Sequence, residues 1–139
     1  MTLQELITYI LNIAKKQPNI KTVGEGDIYS LNSLPNIDYG VFYITQSNHT
    51  ISADTTTYNL VFYYIDRLLN DDSNRLQIHS QGLLEINHIL NIIDDELDVD
   101  IDDVNITTFT HKFTDNCAGV FANVTITTKN EIGRCIWKS

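Results

Sequence analysis

The sequence predicts an α+β domain, with two main helices packed on an antiparallel sheet of about four to five strands. Three observations carry that expectation. Apolar residues recur at three- and four-residue spacing in two separate stretches, 3–16 and 75–93. Runs rich in β-branched and aromatic residues, bounded by polar turns, occupy the intervals between and after them. The resulting order is helix, two or three strands, helix, two strands, without an internal repeat or a linker-like stretch, so that residues 1–139 read as one domain.

The first helix places Leu3, Leu6, Ile7, Ile10, Leu11 and Ala14 on one face. Thr2 is its N-cap and Glu5, three positions on, completes a capping box; Lys15, Lys16 and Pro18 mark its end. Between 19 and 34, Gly24 and Gly26 break any regular pattern, while 27–31 forms a candidate short strand feeding the turn around Pro35. Val41, Phe42, Tyr43 and Ile44 make a compact strand, and Ser47, Asn48, His49 and Thr50 read as the turn of a hairpin. The next strand, 57–68, is bulky on both parities: Tyr58, Leu60, Phe62 and Tyr64 alternate with Val61, Tyr63 and Ile65. Both of its faces therefore need cover, one from helices and the other from a neighbouring subunit.

The second helix puts Leu76, Leu83, Ile86, Ile89, Leu90 and Ile93 on one side, with Asn87 and Asn91 opposite. Gly82 weakens its middle by about 1 kcal/mol relative to alanine, which points to close packing or a bend. An acidic segment follows at 94–103. Strands over 104–113 and 119–128 form a last hairpin around the turn 114–116, and 132–137 extends or caps it.

Eighteen acidic against nine basic residues give a net charge of −9, which argues against sequence-independent binding to DNA or RNA, because phosphate contact needs clustered positive charge. Lys15 and Lys16 are the only adjacent basic pair, and at a helix C-terminus they complement the dipole. The N-terminus has no basic leader and no apolar run is long enough to cross a bilayer, so a soluble, cytosolic product is expected. In that compartment Cys117 and Cys135 are expected to be reduced.

No constellation of residues names a reaction. Asp98, Asp100 and Asp102 alternate as calcium ligands can, but an EF-hand loop starting at Asp98 would need glycine where Asp103 stands and glutamate where Phe109 stands. Extended, those carboxylates share one face with Leu97, Val99 and Ile101 on the other, which describes an exposed acidic edge. His111, Asp115 and Cys117 are the nearest approach to a nucleophilic triad, yet only closeness in sequence groups them. Cys117 and Cys135 stand far apart, there is no CxxC, and His79 and His88 are not four apart, so no metal or cofactor is expected. Gly24-Glu25-Gly26 lacks the lysine and third glycine of a phosphate loop. Tyr58, Tyr63 and Tyr64 could stack on bases, but they lack basic neighbours, so core or subunit contact is the expected role. Three glycosylation sequons, at Asn48, Asn105 and Asn123, carry little weight in a chain without a secretory signal.

The segment Tyr58-Asn59-Leu60-Val61-Phe62-Tyr63-Tyr64-Ile65-Asp66-Arg67-Leu68, the following Asn74-Arg75-Leu76-Gln77-Ile78-His79-Ser80 and the later Phe109-Thr110-His111-Lys112-Phe113-Thr114-Asp115-Asn116-Cys117-Ala118-Gly119-Val120 resemble small proteins of tailed phages infecting gut Bacteroidetes, the crAss-like group among them. The element order is similar to the tail-terminator and tail-completion fold. That resemblance implies a structural virion protein forming a homo-oligomeric ring in the head-to-tail connector or tail, located in the virion after assembly in the host cytoplasm. Its implied partners are other copies of itself and portal, connector or tail proteins, with neither specific nucleic-acid binding nor a membrane. No catalytic residue comes with the resemblance; the loop 19–36 is the candidate arm for gripping neighbours. Tyr58, Phe62, Tyr63 and Tyr64 are the candidate subunit-contact residues, and Asp98, Asp100, Asp102 and Asp103 the candidate acidic surface, which in a ring would present a negative lumen to DNA. The alternative is an acidic adaptor or inhibitor that binds a basic protein through 94–103.

Overall fold

A computed structural model describes residues 2–27, 38–69, 71–112 and 117–129, with the side chains of 111 and 112 left aside. Its elements are α1 (Leu3–Lys15), β1 (Thr22–Glu25), β2 (Val41–Ile51), β3 (Thr55–Arg67), α2 (Arg75–Glu96), β4 (Val99–Ile101), β5 (Ile106–Lys112) and β6 (Cys117–Lys129). The class is α+β with two helices, as the sequence implied. The sheet, however, has six strands rather than four or five, and it is mixed: β1 runs parallel to β2, while every other pairing is antiparallel. β1 escaped sequence reading because four residues containing Gly24 show no parity to follow. The candidate strand at 27–31, apart from Asp27, and the stretch 132–137 expected to extend or cap the last hairpin lie outside the described residues.

Capping and charge fix α1. The Thr2 hydroxyl accepts from the Glu5 backbone N–H at 3.1 Å and the Thr2 N–H donates to Glu5 Oε1 at 3.2 Å, forming the expected capping box. Those bonds hold the Glu5 carboxyl below its ordinary pKa.

The sheet is built on the β3–β6 ladder, which keeps one register from Thr55 opposite Lys129 to Arg67 opposite Cys117. β2 pairs with the other side of β3, with a bulge between Gln46 and His49. β1 covers the outer side of β2 only from Val41 to Ile44, so that beyond Ile44 that edge has no neighbour among the described residues. The opposite edge is composite. β4 pairs with 126–128 of β6 and β5 with 117–122, so β4 and β5 follow one another along the same strand. Four residues, 102–105, separate Ile101 from Ile106, while only three separate their partners Ile126 and Ala122.

Both helices pack on one face of the sheet. Leu6, Ile10 and Ala14 of α1 and Ile78, Ile86, Ile89 and Ile93 of α2 meet Phe42 and Ile44 of β2, alternate residues of β3, and Ala118, Val120, Ala122, Val124 and Ile126 of β6. Phe42 and Phe62 sit edge to face at 5.3 Å between ring centres. Gly82 lets α2 approach closely: a Cβ there would lie 2.6 Å from Val120 Cγ2, so close packing explains the mid-helix glycine. Gly119 is tighter still, since its Cβ would stand 1.9 Å from the Tyr64 carbonyl oxygen across the central ladder.

Alternation along β3 is clean where the sequence looked ambiguous. Tyr58, Leu60, Phe62 and Tyr64 point into the helix-covered core. Val41, Tyr43, Ile65 and Cys117 form a second, smaller cluster on the other face, with Tyr39, Tyr63 and Phe109 packed against it. Tyr58, Phe62 and Tyr64 are thus interior residues and not the subunit-contact surface expected from parity; of the four, only Tyr63 lies on the helix-free face. The phase of α2 also differs from expectation. Its buried side comprises Ile78, His79, Gly82, Glu85, Ile86, Ile89 and Ile93, and Leu76 and Leu83 face outward.

Candidate functional site

Three places could carry function: a polar cleft beside Tyr64, the acidic edge and the outer side of α2. The cleft, about 310 Å³, opens where the end of β3 meets the start of α2 and the turn after α1. Asn19, Tyr39, Tyr64, Asp66, Gln77 and Gln81 are among its lining residues. Beside it, buried Glu85 accepts from Asn19 Nδ2 at 3.2 Å and from Gln81 Nε2 at 2.8 Å, which links the α1–β1 turn to α2. Burial pushes the Tyr64 phenol far above its ordinary pKa, and the carboxylates of Asp66 and Glu85 add to the rise. Tyr64 therefore stays a neutral hydrogen-bond donor across the physiological range.

Other polar groups around the cleft also hold elements together. Asn74 accepts from the Leu69 N–H at 2.9 Å and donates to the Arg67 carbonyl at 3.1 Å, clamping the end of β3 to the start of α2. His79 Nε2 lies 2.9 Å from the Phe109 carbonyl, tying α2 to β5. The His79 contact satisfies a buried polar group in the way a packed interior requires.

The acidic edge is as exposed as its pattern implied. Val99 and Ile101 pack against the core, while Asp98, Asp100, Asp102 and Asp103 face solvent. Asp98 lies 3.8 Å from Lys129 with its side chain 93% exposed, a geometry worth little to stability. Among the described residues, no group of three or more His, Cys, Asp or Glu side chains is placed to hold a metal ion.

Of the nominal triad, the structure locates only part. Cys117 is buried beneath Val41, Tyr43 and Ile65 on the helix-free face. The backbone of His111 belongs to β5, whereas Asp115, like Cys135, lies outside the described residues. Tyr63 neighbours Phe121 at 5.9 Å, and Phe109 neighbours Phe121 at 6.5 Å, so the aromatics of this face form a row across β3, β6 and β5.

The outer side of α2 was not singled out by sequence reading. Leu76 is 72% exposed, Leu84 61% and Leu83 44%, with Leu69 exposed just before the helix. Leu69, Leu76, Leu83, Leu90 and Leu97 recur every seven residues, but Leu90 and Leu97 pack against the core, so the recurrence does not mark the exposed side. No helix among the described residues is long and apolar enough to cross a membrane.

Compared with known proteins, the sequence matches no family model and no curated protein.

Proposed function

We propose that this chain is a structural virion protein that assembles head to tail into a homo-oligomeric ring in a phage connector or tail. In this reading it acts by contact rather than by catalysis, and it surrounds the DNA channel without gripping the DNA. The observation that carries the proposal is the pair of unlike open edges on one sheet. Among the described residues, β2 beyond Ile44 is uncovered on one side, and the composite β4–β5 strand is uncovered on the other. An open edge presents unpaired backbone donors and acceptors, ready to accept another strand. Because the two edges differ, pairing one with the other on the next copy gives a heterologous contact, which closes into a ring when the rotation permits. The net charge of −9 supports a lumen that repels phosphate.

Size-exclusion chromatography with light scattering, followed by negative-stain imaging, tests this reading. The expected result is a closed ring whose mass is a whole multiple of the chain mass, either alone or on mixing with portal or tail proteins. A strict monomer that also fails to join those partners would overturn it. The exposed aspartates favour the adaptor reading as second choice. Salt-sensitive capture of a basic protein, abolished by neutralising Asp98, Asp100, Asp102 and Asp103, would move the assignment there.

A further inference from the structure

The outward face of α2 is built unlike the rest of this acidic surface. Between Leu76 and Ile93 the helix carries one formally charged residue, Glu85, and that one is buried. Leu76, Ser80, Leu83, Leu84, Asn87 and Asn91 are all exposed there. A neutral, leucine-centred strip depleted of charge has the composition of an interface core. The ends of the helix carry charge of the wrong sign. Arg75 stands at the N-terminus with no acidic residue in the first turn, and Asp94, Asp95 and Glu96 crowd the C-terminus with no basic residue in the last. Both ends therefore oppose the helix dipole, and nothing on α2 itself corrects them.

We infer that α2 is a homotypic docking surface, on which the α2 of a second copy lies antiparallel about a two-fold axis passing between Leu83 and Leu84. In that register Leu83 of one copy meets Leu84 of the other, Ser80 meets Asn87, and Leu76 meets Asn91. Each Arg75 then approaches Asp94 and Asp95 of the opposite chain, so one antiparallel contact relieves both misplaced charges at both ends. Glu96 is already engaged, accepting from the Tyr9 hydroxyl, whereas Asp94 and Asp95 face solvent. A parallel pairing would put Arg75 against Arg75 and acid against acid, which the charges forbid. Leu76, Ser80, Leu83, Asn87 and Asn91 recur at three- and four-residue spacing, which keeps the strip in line along one side of the helix.

The charge balance also selects the occupant. A basic partner would be drawn to the aspartates and not to a neutral strip, and a membrane-surface helix would carry lysine or arginine beside its leucines. Two chains of −9 approach with least repulsion where neither presents charge. This contact uses none of the sheet edges and does not rest on the ring proposal. If the ring forms, the contact joins two rings back to back; if it does not, the contact gives a dimer.

Sedimentation equilibrium of the full chain over a range of concentrations tests the inference. Wild type is expected to show a two-fold mass step, and Leu84→Glu to weaken that step by about 100-fold or more while leaving the circular dichroism unchanged and removing any dependence of Tm on protein concentration. Arg75→Glu should weaken it too, and adding Asp94→Arg with Asp95→Arg should restore it. In a Cys135→Ser background, Leu84→Cys should form a disulfide-linked dimer on mild oxidation, whereas Thr8→Cys on exposed α1 should not. Absence of the two-fold step in wild type, an unchanged step in Leu84→Glu, or equal cross-linking from both cysteine variants would each overturn the inference. A ring that persists in Leu84→Glu at half the wild-type mass would separate this contact from the sheet-edge contact.

Discussion

Phe62 shows how much a single position can mislead. It shares a strand with Tyr63, and bulk on both parities suggested that Tyr58, Phe62 and Tyr64 faced another subunit, but all three complete the core beneath α1 and α2. Phe62→Ala should therefore cost about 3–5 kcal/mol in urea unfolding, by loss of burial and creation of a cavity. Unchanged stability with loss of assembly would instead return Phe62 to an interface. Tyr9 gives a titration with a defined sign. Burial pushes its phenol from an ordinary value of 10 up to about 12, and the neighbouring Glu96 carboxylate adds to the rise. Because the folded value lies above the unfolded one, this contribution is complete below pH 10 and disappears as the pH climbs toward 12. Denaturation midpoints across that window should fall less steeply for Tyr9→Phe than for wild type. Residue chemistry of this kind was visible in part: the capping pair Thr2 and Glu5 could be read directly, because a cap is local, while the Tyr9–Glu96 contact spans most of the chain and leaves no local mark.

At the scale of elements, periodicity located α2 but set its phase wrongly. The inward positions include His79, Gly82 and Glu85, which a hydrophobic count assigns to solvent. Each is inward for a reason supplied from elsewhere: the Phe109 carbonyl for His79, Val120 for Gly82, and Asn19 with Gln81 for Glu85. Leu76 and Leu83, which the same count placed inside, are consequently turned out. β3 was legible from its density of β-branched and aromatic residues and β6 from its alternation, and β1 was not, being four residues that owe their existence to β2. The junction of β3 and α2 depends on Asn74, whose side chain bonds both Leu69 and Arg67. Asn74→Ala should lose about 1–2 kcal/mol, and Asn74→Asp, which keeps the acceptor alone, should fall between the two in thermal or urea unfolding.

For the whole molecule, the described surface includes an acidic stretch along the β4 edge, a second open edge along β2 and a neutral helix face, and only the acidic stretch was read from sequence. The others depend on which strands end up as neighbours, a matter of topology. Changing Asp98, Asp100, Asp102 or Asp103 singly to asparagine should shift folding stability by no more than about 0.5 kcal/mol in urea unfolding, since all four are exposed. Chain length in the same region should matter far more. Ile101 and Ile106 are an odd number of residues apart, yet both pack toward the helix-covered core, because 102–105 holds one residue more than the stretch it faces. Removing one residue from 102–105 should invert β5, sending Ile106 outward and Phe109 inward, with a drop in Tm that substitutions there do not reproduce. The break between β4 and β5 thus works as a frame-keeper: it is open to any spelling but closed to any change of count.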